Sequence, residues 1–180
     1  MSIMTYTFKQ LYKSDLQRYK GKVGFSMRCF LWSLRKSQTC RNPLTKPFYR
    51  LVFSVLKSKW HIEFSEKVTI GPGLYLGHPF CITINPKAVI GANCNIHKGV
   101  TLGQENRGAR KGAPTIGNKV WIGINATIVG NIVIGDDVLI APNSYINCNV
   151  PSHSVAFGNP CIIKHKENAT DGYINHLAIC

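Results

Sequence analysis

The stretch "PTIGNKVWIGINATIVGNIVIGDDVLIAPNSYI", residues 114–146, repeats itself. Ile116, Ile122, Ile128, Ile134, Ile140 and Ile146 stand six residues apart, a spacing that neither the 3.6-residue period of a helix nor the two-residue period of a long strand produces. A six-residue unit is one short strand and one corner. Three units close a coil, and the aliphatic residue of each points inward to stack on its equivalent one coil later. An antiparallel sandwich would tolerate variable spacing and would need a hairpin turn every 8 to 12 residues or so. The strict period therefore predicts an all-β solenoid.

Ile70, Leu76 and Ile82 keep the same spacing, as do Ile90, Ile96 and Leu102. A small residue usually follows the aliphatic one (Gly71, Gly77, Gly91, Gly117, Gly123, Ala141), and a small or β-branched one often stands four after it (Val100, Val120, Ala126, Ser144). The register breaks twice, and breaks in a solenoid map to loops that often carry function. Two extra residues fall between Ile82 and Ile90, read around Asn85 and Pro86. Between Leu102 and Ile116 a whole turn is replaced by "GQENRGARKGAP". With three glycines, a proline and four charges it cannot continue an apolar-cored coil, so residues 104–114 should project. Arg107, Arg110 and Lys111 would make that loop a wall for an anionic ligand.

Charge is distributed unevenly. Residues 1–60 hold 13 Lys and Arg against one acid, Asp15, whereas residues 61–180 hold 9 against 7, so +12 of the formal +14 lies in the N-terminal third. That third lacks the six-residue period and looks helical. Over "PLTKPFYRLVFSVLKSKW", Phe48, Leu51, Val52, Val55 and Leu56 form a helical stripe with Lys46, Arg50, Lys57 and Lys59 off it. The commoner fate of such a stripe is to pack on its own domain and leave the charged face solvated; the alternative is contact with an anionic membrane surface. The division is a basic helical segment over 1–60, a β-helix over 61–165 and a polar tail over 166–180. The apolar patch "VGFSMRCFLWSL" is interrupted by Arg28 and too short to span a bilayer. Seven scattered cysteines, with no C-x-x-C pair and no signal peptide, fit a reducing cytoplasm.

Of the six histidines (61, 78, 97, 153, 165 and 176), none lies in H-E-x-x-H or Cys/His pair spacing, so no metal site is expected. His78 interrupts the aliphatic run "LYLGHPFCITIN" at an outward position of the repeat. Pro79 restricts its backbone, and Glu63, fifteen residues earlier, falls close to one coil below. A carboxylate beside a histidine fixes its tautomer and stabilises the imidazolium, which is how a general base is built. His97 falls in the neighbouring coil and joins the loop cations as a candidate for substrate binding.

Residues 60–165 resemble the hexapeptide-repeat acyltransferases, closest to serine O-acetyltransferases and to short exopolysaccharide O-acetyltransferases of the colanic-acid type. The stretches that carry the likeness are "IEFSEKVTIGPGLYLGH", "NIHKGVTLG", "PTIGNKVWIGINATIVGNIVIGDDVLIAPNS" and "VPSHSVAFGNPCIIK". The resemblance implies a left-handed parallel β-helix, a homotrimer with active sites between neighbouring prisms, and acetyl-CoA as co-substrate. It implies that His78 deprotonates the acceptor hydroxyl and that Glu63 orients it. It puts pantetheine near Gly103, Gly123, Ile124, Ala141 and Pro142, with Lys164 at the CoA phosphates. Three departures bear on the acceptor: serine acetyltransferases have a second histidine where Ala113 stands, an aspartate where Gly77 stands, and a long helical N-terminal domain where this chain has about sixty different residues. Losing a polar group from a hydrogen-bonding site weakens binding. The expected acceptor is thus a sugar hydroxyl in capsular, exopolysaccharide or O-antigen synthesis, on a small-molecule or lipid-linked sugar. Serine acetylation is the alternative and a non-catalytic trimeric scaffold a further one. The basic segment would then sit peripherally at the cytoplasmic membrane; no nucleic-acid motif is present.

Overall fold

A computed structural model describes residues 6–178. Three helices come first, α1 (Phe8–Arg18), α2 (Phe25–Thr39) and α3 (Lys46–Ser58). Fourteen short strands follow: β1 (Thr69–Ile70), β2 (Tyr75–Gly77), β3 (Thr83–Ile84), β4 (Val89–Ile90), β5 (Asn95–His97), β6 (Thr101–Gly103) and β7 (Thr115–Ile116). The upper coils hold β8 (Trp121–Ile122), β9 (Thr127–Val129), β10 (Val133–Ile134), β11 (Val138–Ile140), β12 (Tyr145–Ile146), β13 (Ser154–Phe157) and β14 (Ile162–His165).

The strands form a prism with three faces. The first face is β1-β4-β7-β10, the second β2-β5-β8-β11-β13-β14 and the third β3-β6-β9-β12. All named pairs are parallel except β13 with β14. Register stacks Ile70, Ile90, Ile116 and Ile134 on one face, and Leu76, Ile96, Ile122 and Ile140 on the next. On the third face it stacks Ile84, Leu102, Ile128 and Ile146. Each of these twelve is 2% exposed or less, so the repeat is the core.

This register corrects both breaks. Ile84, not Ile82, stacks beneath Leu102, and Ile82 takes the inward corner position that Val100 and Ala126 occupy in the next coils. Both isoleucines are buried, so their hydrophobicity could not distinguish them. The two extra residues therefore lie in the corner His78–Cys81, not around Asn85 and Pro86. At the second break no turn is missing, because Ile90 pairs directly with Ile116. The extra residues enlarge one corner between the third and first faces. Within that loop Glu105 bridges Gly112, and the Arg110 guanidinium meets the Glu105 carboxylate at 3.0 Å.

The helices plug the first coil. A capping box between Thr7 and Gln10 starts α1. Phe30, Phe53 and Phe64 close the end of the core, Phe30 lying 5.4 Å from Phe53 and 6.3 Å from Phe64. Arg35, fully buried, forms a two-pronged ion pair with Asp15 (2.7 and 2.9 Å) and donates to the carbonyls of Ile70 and Gly71. Asp15 also accepts from Leu74 N–H. The two charges are thus mutually paired and otherwise satisfied by β-helix backbone, the condition under which a buried pair is tolerated.

The stripe on α3 does not pack as a whole on the domain. Phe53 and, in part, Val52 and Leu56 face inward, whereas Phe48 (57% exposed), Leu51 (64%) and Val55 (64%) face outward. The cause is that the inward arc is taken by Phe53, off the stripe, which joins the aromatic plug.

The tail is a strap that runs back down the prism. Lys166 N–H bonds to the His153 carbonyl, Ala169 and Thr170 to the Asp137 carboxylate, the Tyr173 carbonyl to Asn95, the Asn175 carbonyl to Arg18 at 2.8 Å, and Ala178 N–H to Asn93.

Candidate active site

His78 stands on the enlarged corner between the second and third faces, exposed, in the left-handed backbone region at φ 51°, with Cys81 likewise at 52°. The two added residues enlarge this corner relative to the one above it, where Lys98 N–H bonds to the Gly77 carbonyl and Gly99 N–H to that of Phe80. An imidazole there is open to solvent and to an approaching ligand. Among the described residues its side chain makes no hydrogen bond or ion pair.

The expected partnership with Glu63 is not formed. Glu63 is exposed on the third face opposite Thr83, and five positions of chain separate Thr83 from His78 around the corner. The polar neighbour of His78 is instead His97. The ring of His97 lies over Gly77, its register partner, where a Cβ would overlap it. Any side chain at 77 would require the His97 ring to shift. Burial, and then the nearby charge of His78, hold the His97 imidazole below its ordinary pKa, so it stays neutral. Its Nε2 is buried with no hydrogen-bond partner among the described residues.

The other candidates divide between two corners. Register aligns His78 with Lys98, Ile124, Pro142 and Gly158, and Gly77 with His97, Gly123, Ala141 and Phe157. Gly123, Ile124, Ala141 and Pro142 therefore continue the edge that His78 begins. Lys164 stands at its far end, its ammonium 5.8 Å from the Phe157 ring centre. Gly103 belongs to the opposite corner, paired with Val129, beside Glu63 in a third-face groove of about 390 Å³. Arg107, Arg110 and Lys111 leave from that same side; the loop's bonds go to Asn85 and Asn131, and none to His78. Phe157 was missed by sequence reasoning, because the last coil is two residues shorter than the one before it and falls out of the six-residue period. Among the described residues no group of three His, Cys, Asp or Glu could hold a metal ion.

With this geometry in view, the comparisons give the class first. Residues 113–148 match the bacterial transferase hexapeptide repeat, six repeats. A Brucella abortus serine acetyltransferase solved in complex with coenzyme A overlays with a TM-score of 0.76 at 23% identity, covering 89% of this chain and 68% of that one. A soybean serine acetyltransferase complexed with serine gives 0.73 at 24%, covering 87% and 69%. The fold is a left-handed parallel β-helix of hexapeptide repeats. In sequence, the serine acetyltransferase of Helicobacter pylori (strain 26695) is 37% identical over 98 residues, 54% of this chain and 57% of that protein. That of Synechococcus elongatus is 30% identical over 115 residues, 64% and 47%. The chain spans about half the length of the curated relatives it matches.

These relatives overturn the sugar acceptor. They are serine acetyltransferases, and none of them points to polysaccharide synthesis or to a lipid-linked sugar. The expectation rested on Ala113, Gly77 and the short basic N-terminal segment, and a missing side chain does not say what replaces it. Ala113 packs against the core at its corner, and the space over Gly77 is filled by His97.

Proposed function

We propose that this protein transfers the acetyl group of acetyl-CoA to the hydroxyl of L-serine. The observation that carries the reading is the edge that runs from His78 past Ile124 and Pro142 to Lys164. Five strand steps of about 4.8 Å, from β2 to β14, make it roughly 24 Å long, suited to an extended pantetheine arm with its thioester at His78 and its phosphates at Lys164. Glycine, alanine and proline along the edge let the arm approach backbone groups. His78 would take the proton from the serine hydroxyl as its oxygen attacks the thioester carbonyl. The tetrahedral intermediate then expels the CoA thiolate, which recovers the proton from the imidazolium, leaving O-acetylserine and CoA. The serine acetyltransferase relatives support the acceptor.

The same reading requires more than one copy of the chain. His78 and the cationic loop stand at different corners of one prism, and a neighbouring prism in a homotrimer brings a loop to each histidine. Arg107 and Lys111 are exposed and form no ion pair among the described residues, which leaves them free for the serine carboxylate in place of the histidine absent at 113. Purified protein mixed with acetyl-CoA and L-serine should release free thiol in proportion to serine. Thiol release with no dependence on serine would reject the acceptor, and a monomer in solution would reject the shared site.

For localisation we propose a cytoplasmic protein whose helical cap touches the anionic face of a membrane. Leu44 (88% exposed), Phe48, Leu51 and Val55 offer an apolar arc within a segment of net charge +12. A second copy would set like charge against like, whereas anionic lipid complements it. Co-sedimentation with phosphatidylserine vesicles but not with phosphatidylcholine vesicles is the expected result; binding to neither overturns it.

A further inference from the structure

A cavity of about 440 Å³ opens on the second face, between the prism, the end of α1 and the strap. It excludes His78, Glu63 and the projecting loop. Arg18, Lys20 and Lys22 line it together with the rings of Tyr75, Trp121 and Tyr173, and no carboxylate does. The rings are already set against one another: Trp121 lies 5.0 Å from Tyr173 and 4.8 Å from His97. Two buried side-chain nitrogens have no hydrogen-bond partner among the described residues, Nε of Arg18 and Nε2 of His97, and both residues line this cavity. Leaving such groups unmet costs free energy that a ligand acceptor atom can recover.

We propose that this cavity binds a small anion with a planar aromatic ring, no larger than a mononucleotide, its ring stacked among Trp121, Tyr173 and Tyr75 and its anionic group held by Arg18, Lys20 and Lys22. The volume lies in the range of small-molecule sites. Ring stacking is tolerant of ring identity, and cations set the requirement for a negative group. Arg18 is fixed for the purpose: its remaining nitrogens bond to Asn95 and to the Asn175 carbonyl. The site goes beyond the proposed reaction, yet touches it at one point, because the His97 ring on its wall rests on Gly77, the residue before His78. An occupant that bonds to His97 therefore bears on the position of the catalytic corner.

The test uses the full chain and needs no turnover, so failure of the serine reading would leave it intact. Titration with AMP, followed by calorimetry and by Trp fluorescence, should saturate, with adenosine (ring alone) and inorganic phosphate (charge alone) each at least about tenfold weaker, a difference of about 1.4 kcal/mol. 4-Hydroxybenzoate tighter than AMP would keep the proposal and assign the occupant to aromatic acids. The double variant Lys20→Ala/Lys22→Ala changes two exposed side chains and should weaken binding about tenfold or more with an unchanged circular dichroism spectrum. Tyr173→Ala on the strap provides a second, independent loss. The proposal is overturned if none of the ligands saturates, or if AMP binding survives both variants.

Discussion

The β-helix body and the helical cap solve the same problem, burying one end of the chain against the other, with opposite means. The body is nearly neutral and builds its core from aliphatic residues repeated at a largely constant spacing; a change at any level of the stack is felt mainly by its neighbours. The cap is strongly basic and joins the body through a few unlike contacts, chiefly a plug of three phenylalanines and a buried Asp15–Arg35 pair that bonds to the backbone of Ile70, Gly71 and Leu74. Repetition spreads stability over many equivalent sites. Singular contacts concentrate it.

The largest effect tests the edge that only the body supplies. His78→Ala should lower serine-dependent thiol release by about 10² to 10⁴-fold while leaving circular dichroism and CoA binding unchanged; turnover near wild type would remove His78 from the mechanism. Next, Arg35→Ala leaves Asp15 buried and unpaired and should cost about 3 to 5 kcal/mol, read as a large fall in denaturation midpoint. Ile122→Ala, in the middle of the stack, should cost about 2 to 5 kcal/mol. If the body variant proves much the more damaging, stability is not concentrated in the cap's contacts as described.

A smaller effect concerns Asp137. Burial favours its neutral form, but hydrogen bonds from Thr170 and His153, with Lys119 nearby, outweigh this and hold its pKa below the ordinary carboxylate value. A depressed folded pKa adds stability that is complete above the unfolded value, near 4, and disappears as pH falls through the folded one. Acid should therefore loosen residues 166–178 before the prism, seen as faster amide exchange confined to the strap; Asp137→Asn should do the same at neutral pH. Smallest of all, Leu51→Ser should change stability by less than about 0.5 kcal/mol yet reduce binding to phosphatidylserine vesicles.

The body was legible because its signal is periodic: Ile116 to Ile146 define the coil without any knowledge of contacts. Where the sequence offered two candidates, as at Ile82 and Ile84, period alone chose wrongly, since both are buried and only strand register separates them. Glu63 and His78 were close in coil number yet share no hydrogen bond or ion pair, because a fifteen-residue separation says nothing about which face each occupies. The cap and the tail carry no repeat, and their contacts depend on how distant segments meet. Neither the pairing of Asp15 with Arg35 nor the path of the strap is written in local pattern. The acceptor was misread for a related reason: Ala113 reported a missing group, while what fills the space over Gly77 comes from the next coil.

The strap has a consequence for how the molecule comes apart. A stack of coils can fray from either end, each coil leaving separately like the last plank of a pier. Here residues 166–178 descend from the last coil to the first, and Gln17 and Arg18 of α1 hold the carbonyls of Leu177 and Asn175. The two ends of the solenoid are thereby tied into a ring of contacts, so the top coil cannot lift without pulling on the helical cap. Melting should be a single cooperative event in the intact chain and should become stepwise once the strap is cut after residue 165.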